Sequence, residues 1–228
     1  VACEAVGAAD VAAIRQTIEE NNMDAVKLER PTELAVYAPP TSDPWDDAVR
    51  IALDYAGIEY DVVWDEEVMK GELGKYDWLH LHHEDFTGQY GKFYASYRSA
   101  DWYRQGVALN EAMARKLGFS KVSRLKLGIV GMIRQYVEDG GMLFAMCSAT
   151  DTPDIAWAAR STDICNQVFD GDPPDPGFAG KLDYSGCLAF ENFSIVTDPM
   201  VYEHSDIDTY QEATARGPDV YITLFDFS

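Results

Sequence analysis

Gly140-Gly141-Met142-Leu143-Phe144-Ala145-Met146-Cys147-Ser148-Ala149-Thr150-Asp151 is the stretch whose reading decides the fold. Two glycines close whatever precedes them, an apolar run follows without a polar interruption, and a cysteine stands where the run stops. A short unbroken apolar run reads as a strand covered on both faces of a parallel sheet. A nucleophile on a sharp strand-to-helix turn needs small neighbours two residues to either side, because the backbone there is crowded. Ala145 and Ala149 meet that need. A helix following the turn would aim its positive end at the sulfur and favour the thiolate. A small buried cysteine closing a strand is the plainer reading of the same residues.

Working outward, the residues before Gly140 form two helices, about 101–117 and 121–138. The second turns Val122, Leu125, Ile129, Ile133 and Val137 inward at helical spacing. Further upstream, Leu34 to Ala38, Tyr60 to Trp64 and Trp78 to His82 read as strands. Between the first two, Asp43 reads as an N-cap with Pro44 at the first helical position, and Trp45, Ala48, Val49, Ala52, Leu53 and Ala56 form an apolar face ending at Gly57. Asp85 to Ala100 reads as a long ordered loop. After Cys147, residues 153–160 read as helix and Asp170 to Gly180 as a loop; Leu188–Phe190, Phe193–Val196 and Val220–Phe225 read as strands. Residues 1–30 form a helical lead-in with Val11, Ile14 and Ile18 at helical spacing, belonging to a truncated upstream region, since the chain opens at Val1 and not Met. The alternation predicts an α/β domain over 31–228, three-layered, with a mostly parallel sheet and helices on both faces. Functional groups then gather at the carboxyl ends of the strands, in the loops Pro39–Asp43, His83–Tyr90 and Cys147–Asp151.

Composition narrows the function. Hydrophobic residues make up 47 % and charged residues 25 % of 228, ordinary globular values. The 39 acidic against 18 basic residues give −21, a field that repels nucleic acid and anionic membranes. No apolar run is long enough to span a bilayer. Acidic residues spread along the chain read as a solvated surface of the kind that stays soluble at high salt, a halophilic character. Cys3, Cys147, Cys165 and Cys187 match neither a zinc spacing nor a dense disulfide framework.

Two more segments carry chemistry-bearing side chains. In Trp78-Leu79-His80-Leu81-His82-His83-Glu84-Asp85, His80 and His82 share one strand face, and His83, Glu84 and Asp85 fall in the loop beyond. Such a cluster serves proton transfer, substrate binding, metal ligation or plain loop bonding. Phe86-Thr87-Gly88-Gln89-Tyr90-Gly91-Lys92-Phe93-Tyr94 lacks a Gly-Lys-Ser/Thr phosphate signature and reads either as a lid or as aromatic packing of a loop. His204 with Asp206 and Asp208 reads as a surface hydrogen-bonded turn.

Around Cys147 the pattern resembles the class I glutamine amidotransferase-like superfamily, with Ala145 and Ala149 in place of the glycines of Gly-x-Cys-x-Gly. Three longer stretches, Pro44–Val49, Tyr76–Tyr94 and Phe144–Asp151, resemble a bacterial family known from Bacteroidetes and labelled "asparagine synthetase B". That resemblance covers the chain from about residue 24 onward. It implies a flavodoxin-like, amidotransferase-like domain truncated at its C-terminal end, and a full-length parent exported from the cytoplasm. It implies Cys147 as nucleophile; His82 and His83 are then candidate bases, with Ser148, Ala149, Thr150, Asp151, Glu84, Asp85, Thr87 and Gln89 around the oxyanion and pocket. The partner is then a small polar molecule or glutamine-like amide, with no cofactor and no metal.

The residues limit what the label can mean. No Ser-Gly-Gly-x-Asp-Ser pyrophosphatase loop and no N-terminal cysteine occur, so ATP-dependent asparagine synthesis is not expected of this chain. The superfamily's late His-x-Glu pair is also absent; the base is His82, His83 or a residue beyond the chain, or there is no catalysis. Three readings follow: a Cys147-dependent amidase or hydrolase; a non-catalytic module binding a small ligand or carbohydrate at the same strand ends; and a metal-dependent hydrolase using His80, His82, His83 and Glu84.

Overall fold

A computed structural model describes residues 7–21, 32–42 and 47–207. The elements, in chain order, are α1 (Ala8–Glu20), β1 (Leu34–Tyr37), α2 (Ala48–Ala56), β2 (Asp61–Val63), α3 (Asp65–Met69), β3 (Trp78–Leu81), α4 (Tyr94–Tyr97), α5 (Asp101–Lys116), α6 (Val122–Glu138), β4 (Met142–Ala145), α7 (Thr152–Ala158) and α8 (Gln167–Asp170). The four strands form one all-parallel sheet in the order β2-β1-β3-β4. The protein is therefore α/β, and the four strands read from the sequence lie where their apolar runs placed them, to within a residue or so at each end. No helix among the described residues is long and apolar enough to cross a membrane.

Register assigns the two faces. Leu79 pairs with Ala35 and Leu143, and His80 with Val36 and Phe144; laterally paired residues of a parallel sheet share a face. Ala35, Tyr37, Val63, Leu79 and Leu81 meet Leu125, Ile129 and Ile133 of α6 in the main core. A second cluster seats the chain that follows α7 back onto that helix through Ile155, Ala158, Ile164 and Phe193. The opposite sheet face carries Val36, His80 and Phe144, with the start of α2 held above it by a contact between Asp47 and His82.

Several expectations need correction. β4 is not covered on both faces: among the described residues it is an edge strand, with Met142 54 % and Phe144 44 % exposed. Asp47 caps α2, its Oδ1 accepting Val49 N–H at 2.8 Å; the expected cap Asp43, with Pro44 and Trp45, lies outside the described residues. On α2 only Val49 and Leu53 of the expected apolar face are half-buried, and the buried residue is Arg50. The lead-in does form a helix, α1, but buries no residue. Residues 85–100 contain a 3-10 turn at Tyr90–Lys92 and the short α4, and are not one loop. Leu188–Phe190 is not a strand, because the buried Asp154 carboxylate takes the N–H groups of Leu188, Ala189 and Phe190 at 2.6–2.9 Å, leaving none for a ladder. Phe193–Val196 contributes only an isolated antiparallel bridge, Ile195 with Ser205. Val220–Phe225 and Cys3 lie outside the described residues; Cys147, Cys165 and Cys187 are free thiols.

One ionic group is built into the core. Lys126 Nζ lies 2.9 and 3.0 Å from the two oxygens of the fully buried Asp65 and 3.1 Å from the Tyr37 hydroxyl, which itself donates to Asp65. Burial, with the adjacent Asp65 charge, holds the Tyr37 hydroxyl well above its ordinary pKa. Removing one partner of such a buried pair leaves an uncompensated charge. Lys126→Met is expected to lower the unfolding free energy by about 3–5 kcal/mol, read from the denaturant midpoint, and Asp65→Asn in the same chain to restore part of it. An unchanged midpoint in the single variant would refute this role.

Candidate functional site

The carboxyl ends of β1, β3 and β4 converge on one cavity of about 680 Å³. The strand order reverses between β1 and β3, the position where parallel sheets open a crevice. Pro39, His83, Glu84, Asp85, Cys147 and Ser148 come to it from the strand ends, and Asp47 from the start of α2. Tyr90, Phe93, Trp102, Tyr103 and Tyr202 form an aromatic wall, and Lys126 reaches it from α6.

Cys147 follows β4 directly. The Met146 N–H donates to Leu81 O at 3.0 Å, so the sheet ladder runs up to the residue before the cysteine. Cys147 itself has φ 51°, in the left-handed region that non-glycine residues rarely occupy. A 3-10 turn, Cys147–Ala149, leads away, and Thr150 N–H donates back to Cys147 O at 3.0 Å. Ala149 is fully buried in this turn. The helix expected to aim at the sulfur starts only at Thr152, a full turn later. Thr152 Oγ1 bonds Ser148 O at 2.5 Å and Glu84 O at 3.3 Å, fastening the cysteine turn to the end of β3. The thiol is exposed, and among the described residues its sulfur makes no hydrogen bond to an imidazole.

The β3 end presents a stack of titratable groups. The buried His82 places Nδ1 2.8 Å from Asp47 Oδ1. Burial alone would raise the Asp47 pKa, but the Val49 N–H and His82 outweigh it and the net shift is downward. His83 stacks on His82 with ring centroids 3.5 Å apart; partial desolvation, then the neighbouring His82, lowers its pKa, so it is neutral at pH 7. Glu84 turns its carboxyl inward to accept the His82 N–H at 2.9 Å, and burial pushes its pKa up to about 7. A carboxyl that titrates near neutrality and a neutral imidazole thus line the cavity that the thiol enters.

Asp85 organises the next loop. Its carboxylate accepts the Thr87 N–H at 2.7 Å, the Thr87 hydroxyl at 2.6 Å, the Gln89 N–H at 3.1 Å and the Gly91 N–H at 2.8 Å. His204 Nε2 lies 3.2 Å from the same group, an ion-pair distance without hydrogen-bond alignment. Burial opposes the charge, yet His204 and the Thr87 bonds hold the Asp85 pKa far below the usual carboxylate range. Thr87 and Gln89 are therefore buried posts of the loop, bonded to each other at 3.1 Å, and do not line the large cavity. Gly88, between them, has φ 84°, and a Cβ there would stand 2.7 Å from the Ser123 backbone of α6. Lys92 buries its ammonium against Val196 O (2.8 Å) and Glu203 O (2.6 Å), and burial lowers its pKa to about 8.

A smaller cavity of about 360 Å³ adjoins the first, sharing Cys147, Ser148 and Tyr202 and adding Thr150, Asp151 and His204. Burial raises the Asp151 pKa, and Ser205 Oγ donates to Asp151 at 3.2 Å. His204 is thus a buried member of the site and not part of a surface turn; Asp206 instead accepts the Ser194 N–H at 2.8 Å, and Asp208 lies outside the described residues. The metal reading finds no convergent ligand set at β3: His80 stacks on Phe144 with both ring nitrogens buried and unbonded, and His82 is committed to Asp47. Among the described residues only Asp163, Cys165 and Asp170 could share a cation, and Lys121 Nζ already stands 2.7 and 3.0 Å from the two carboxylates.

No family model, no curated protein and no solved structure matches this chain. The site rests on its own geometry. That geometry gathers Cys147, Ser148, His83, Glu84 and Asp85 around one cavity, and Thr150 and Asp151 around its neighbour. It adds Lys126, His204, Trp102, Tyr103 and Tyr202, none of which sequence reasoning placed in the site, and it brings Tyr90 and Phe93 to the cavity from the segment read as a lid or as aromatic packing.

Two outcomes follow. Gly88→Ala is expected to cost at least about 2 kcal/mol, from the left-handed backbone and the collision with α6 together; an unchanged melting temperature would contradict the close approach. For Glu84, the folded chain keeps a proton that the unfolded chain releases near pH 4.5, so its contribution to stability is present below that pH and is lost as pH rises to about 7. Glu84→Gln is therefore expected to gain on the wild type between pH 4.5 and 7, by roughly 2–4 kcal/mol at the upper end, measured as paired denaturation curves. Parallel stability–pH profiles would contradict the assignment.

Proposed function

We propose that the chain is a cysteine-dependent amide hydrolase of the class I glutamine amidotransferase-like kind. The observation that carries this is the exposed Cys147, held in left-handed backbone at the carboxyl end of β4 and opening on the 680 Å³ cavity beside His83 and Glu84. The strand order β2-β1-β3-β4 is also that of the first four strands of a flavodoxin-like sheet, as this class requires. The resemblance at Tyr76–Tyr94 and Phe144–Asp151 points the same way. Asparagine synthesis is no part of the proposal, since the chain has no pyrophosphatase loop.

In this reading His83 or Glu84 takes the thiol proton as Sγ attacks the carbonyl carbon. The C–N bond breaks, the departing amine takes up that proton, and the acyl group remains on sulfur as a thioester. Water then cleaves the thioester, the same base accepting its proton, and the free thiol returns. The Ser148 N–H, one residue after the nucleophile, serves in this reading as an oxyanion donor.

The expected result is fast, stoichiometric alkylation of Cys147 by iodoacetamide near neutral pH, located by peptide mapping, with loss of amide turnover in Cys147→Ala. Reaction no faster than glutathione, or turnover that survives the substitution, would overturn the proposal.

A second reading has a specific observation in its favour: among the described residues no imidazole bonds the Cys147 sulfur. The same cavity then serves as a binding module for a small ligand or carbohydrate. That module predicts ligand-dependent thermal stabilisation that persists in Cys147→Ser.

A further inference from the structure

The two cavities that meet at Cys147 differ in chemistry. The larger is walled on one side by Phe93, Trp102, Tyr103 and Tyr202. These rings lean on one another at steep angles: Phe93 to Trp102 at 5.7 Å and 77°, Trp102 to Tyr103 at 6.0 Å and 87°, and Phe93 to Tyr202 at 5.8 Å and 43°. They make a cupped surface of ring edges and faces, unlike the single flat platform on which a sugar ring is laid. Trp102 keeps half its surface open although it sits in the middle of the cluster, while Tyr103 beside it is buried. An indole left uncovered within an aromatic cup is apolar area that a ligand would remove from water. The smaller cavity shares only Tyr202 of these rings and adds the polar side chains of Thr150, Asp151 and His204. A carbonyl carbon held at the sulfur would therefore have an apolar receptacle on one side and a polar one on the other.

We infer that this site takes amides that carry a bulky aromatic or similarly apolar group, seated in the cup around Trp102, with the small polar part of the molecule on the Thr150–Asp151 side. The inference rests on the proposed nucleophilic role of Cys147 and adds to it the class of substrate. It departs from a glutamine-like amide, whose side chain offers no group to fill the cup.

Haloacetamides test it without knowledge of the natural substrate. The Cys147 sulfur displaces chloride from 2-chloroacetamide or from N-benzyl-2-chloroacetamide: a C–S bond forms, the C–Cl bond breaks, chloride leaves and the thiol proton passes to solvent. Rates at the Cys147 peptide are followed by mass spectrometry on the full chain and normalised to the rates of the same two reagents with glutathione. The benzyl reagent is expected to react at least tenfold faster than the unsubstituted one and to saturate with concentration. Trp102→Ala should bring that ratio close to 1, and Trp102→Phe, which keeps a ring in the cup, should retain most of it. A ratio near 1 in the unsubstituted chain, with Cys147 still reacting faster than glutathione, overturns the substrate class and leaves the nucleophile standing. No acceleration with either reagent overturns both. A large ratio that Trp102→Ala leaves intact also overturns the inference, since the preference would then arise elsewhere.

Discussion

One buried carboxylate holds this site together. Asp85 accepts three backbone N–H groups and a hydroxyl from the six residues that follow it, and faces His204 from the far end of the described chain. A carboxylate taken out of water is costly unless its lone pairs are met, and here they are met by the loop it shapes. The turn at Gly88 can then press against α6, Tyr90 and Phe93 are aimed at the cavity, and the segment carrying Tyr202 and His204 is drawn over the strand ends. Lys92 completes the connection by bonding two carbonyls of that segment. The cavity walls are assembled by polar bonds from parts of the chain that the main core does not itself bring together.

The strands and the long helix were legible because their signals are local. An apolar run bounded by glycines, prolines or polar residues has few alternatives, and the spacing of Leu125, Ile129 and Ile133 permits only one inward face. Cys147 was legible for the same reason, since it stands where such a run ends. What failed to show were competitions decided by distant groups. Leu188–Phe190 has strand composition, but Asp154 claims its N–H groups first. Asp47 caps α2 and also holds His82, a second bond that residue type alone does not reveal.

The rest of the aromatic wall, beyond Tyr90 and Phe93, and the histidine of the smaller cavity were invisible for a related reason. Trp102 and Tyr103 sit in a helix where aromatic residues usually mean core, and nothing local says that one faces a cavity. His204 has aspartates close by in sequence, yet it turns towards Asp85, which no local pattern indicates. Lys92 lies within the very motif that drew attention to the loop, and its burial was the one signal a close reading offered: a lone lysine among aromatic residues and glycines. The faces of β4 were misjudged because an edge strand and a central one share the same apolar alphabet when no neighbour is known.

Lys126 belongs to two systems at once: it neutralises Asp65 inside the scaffold, and it lines the cavity. Drift in ligand preference is therefore constrained unevenly around the rim. Trp102 is half exposed and takes no part in the buried ion pair, so the aromatic side is less tightly bound to the scaffold than the cationic one. The cationic corner cannot follow without a compensating change at Asp65, and relatives that evolve towards a ligand of different charge should alter those two positions together.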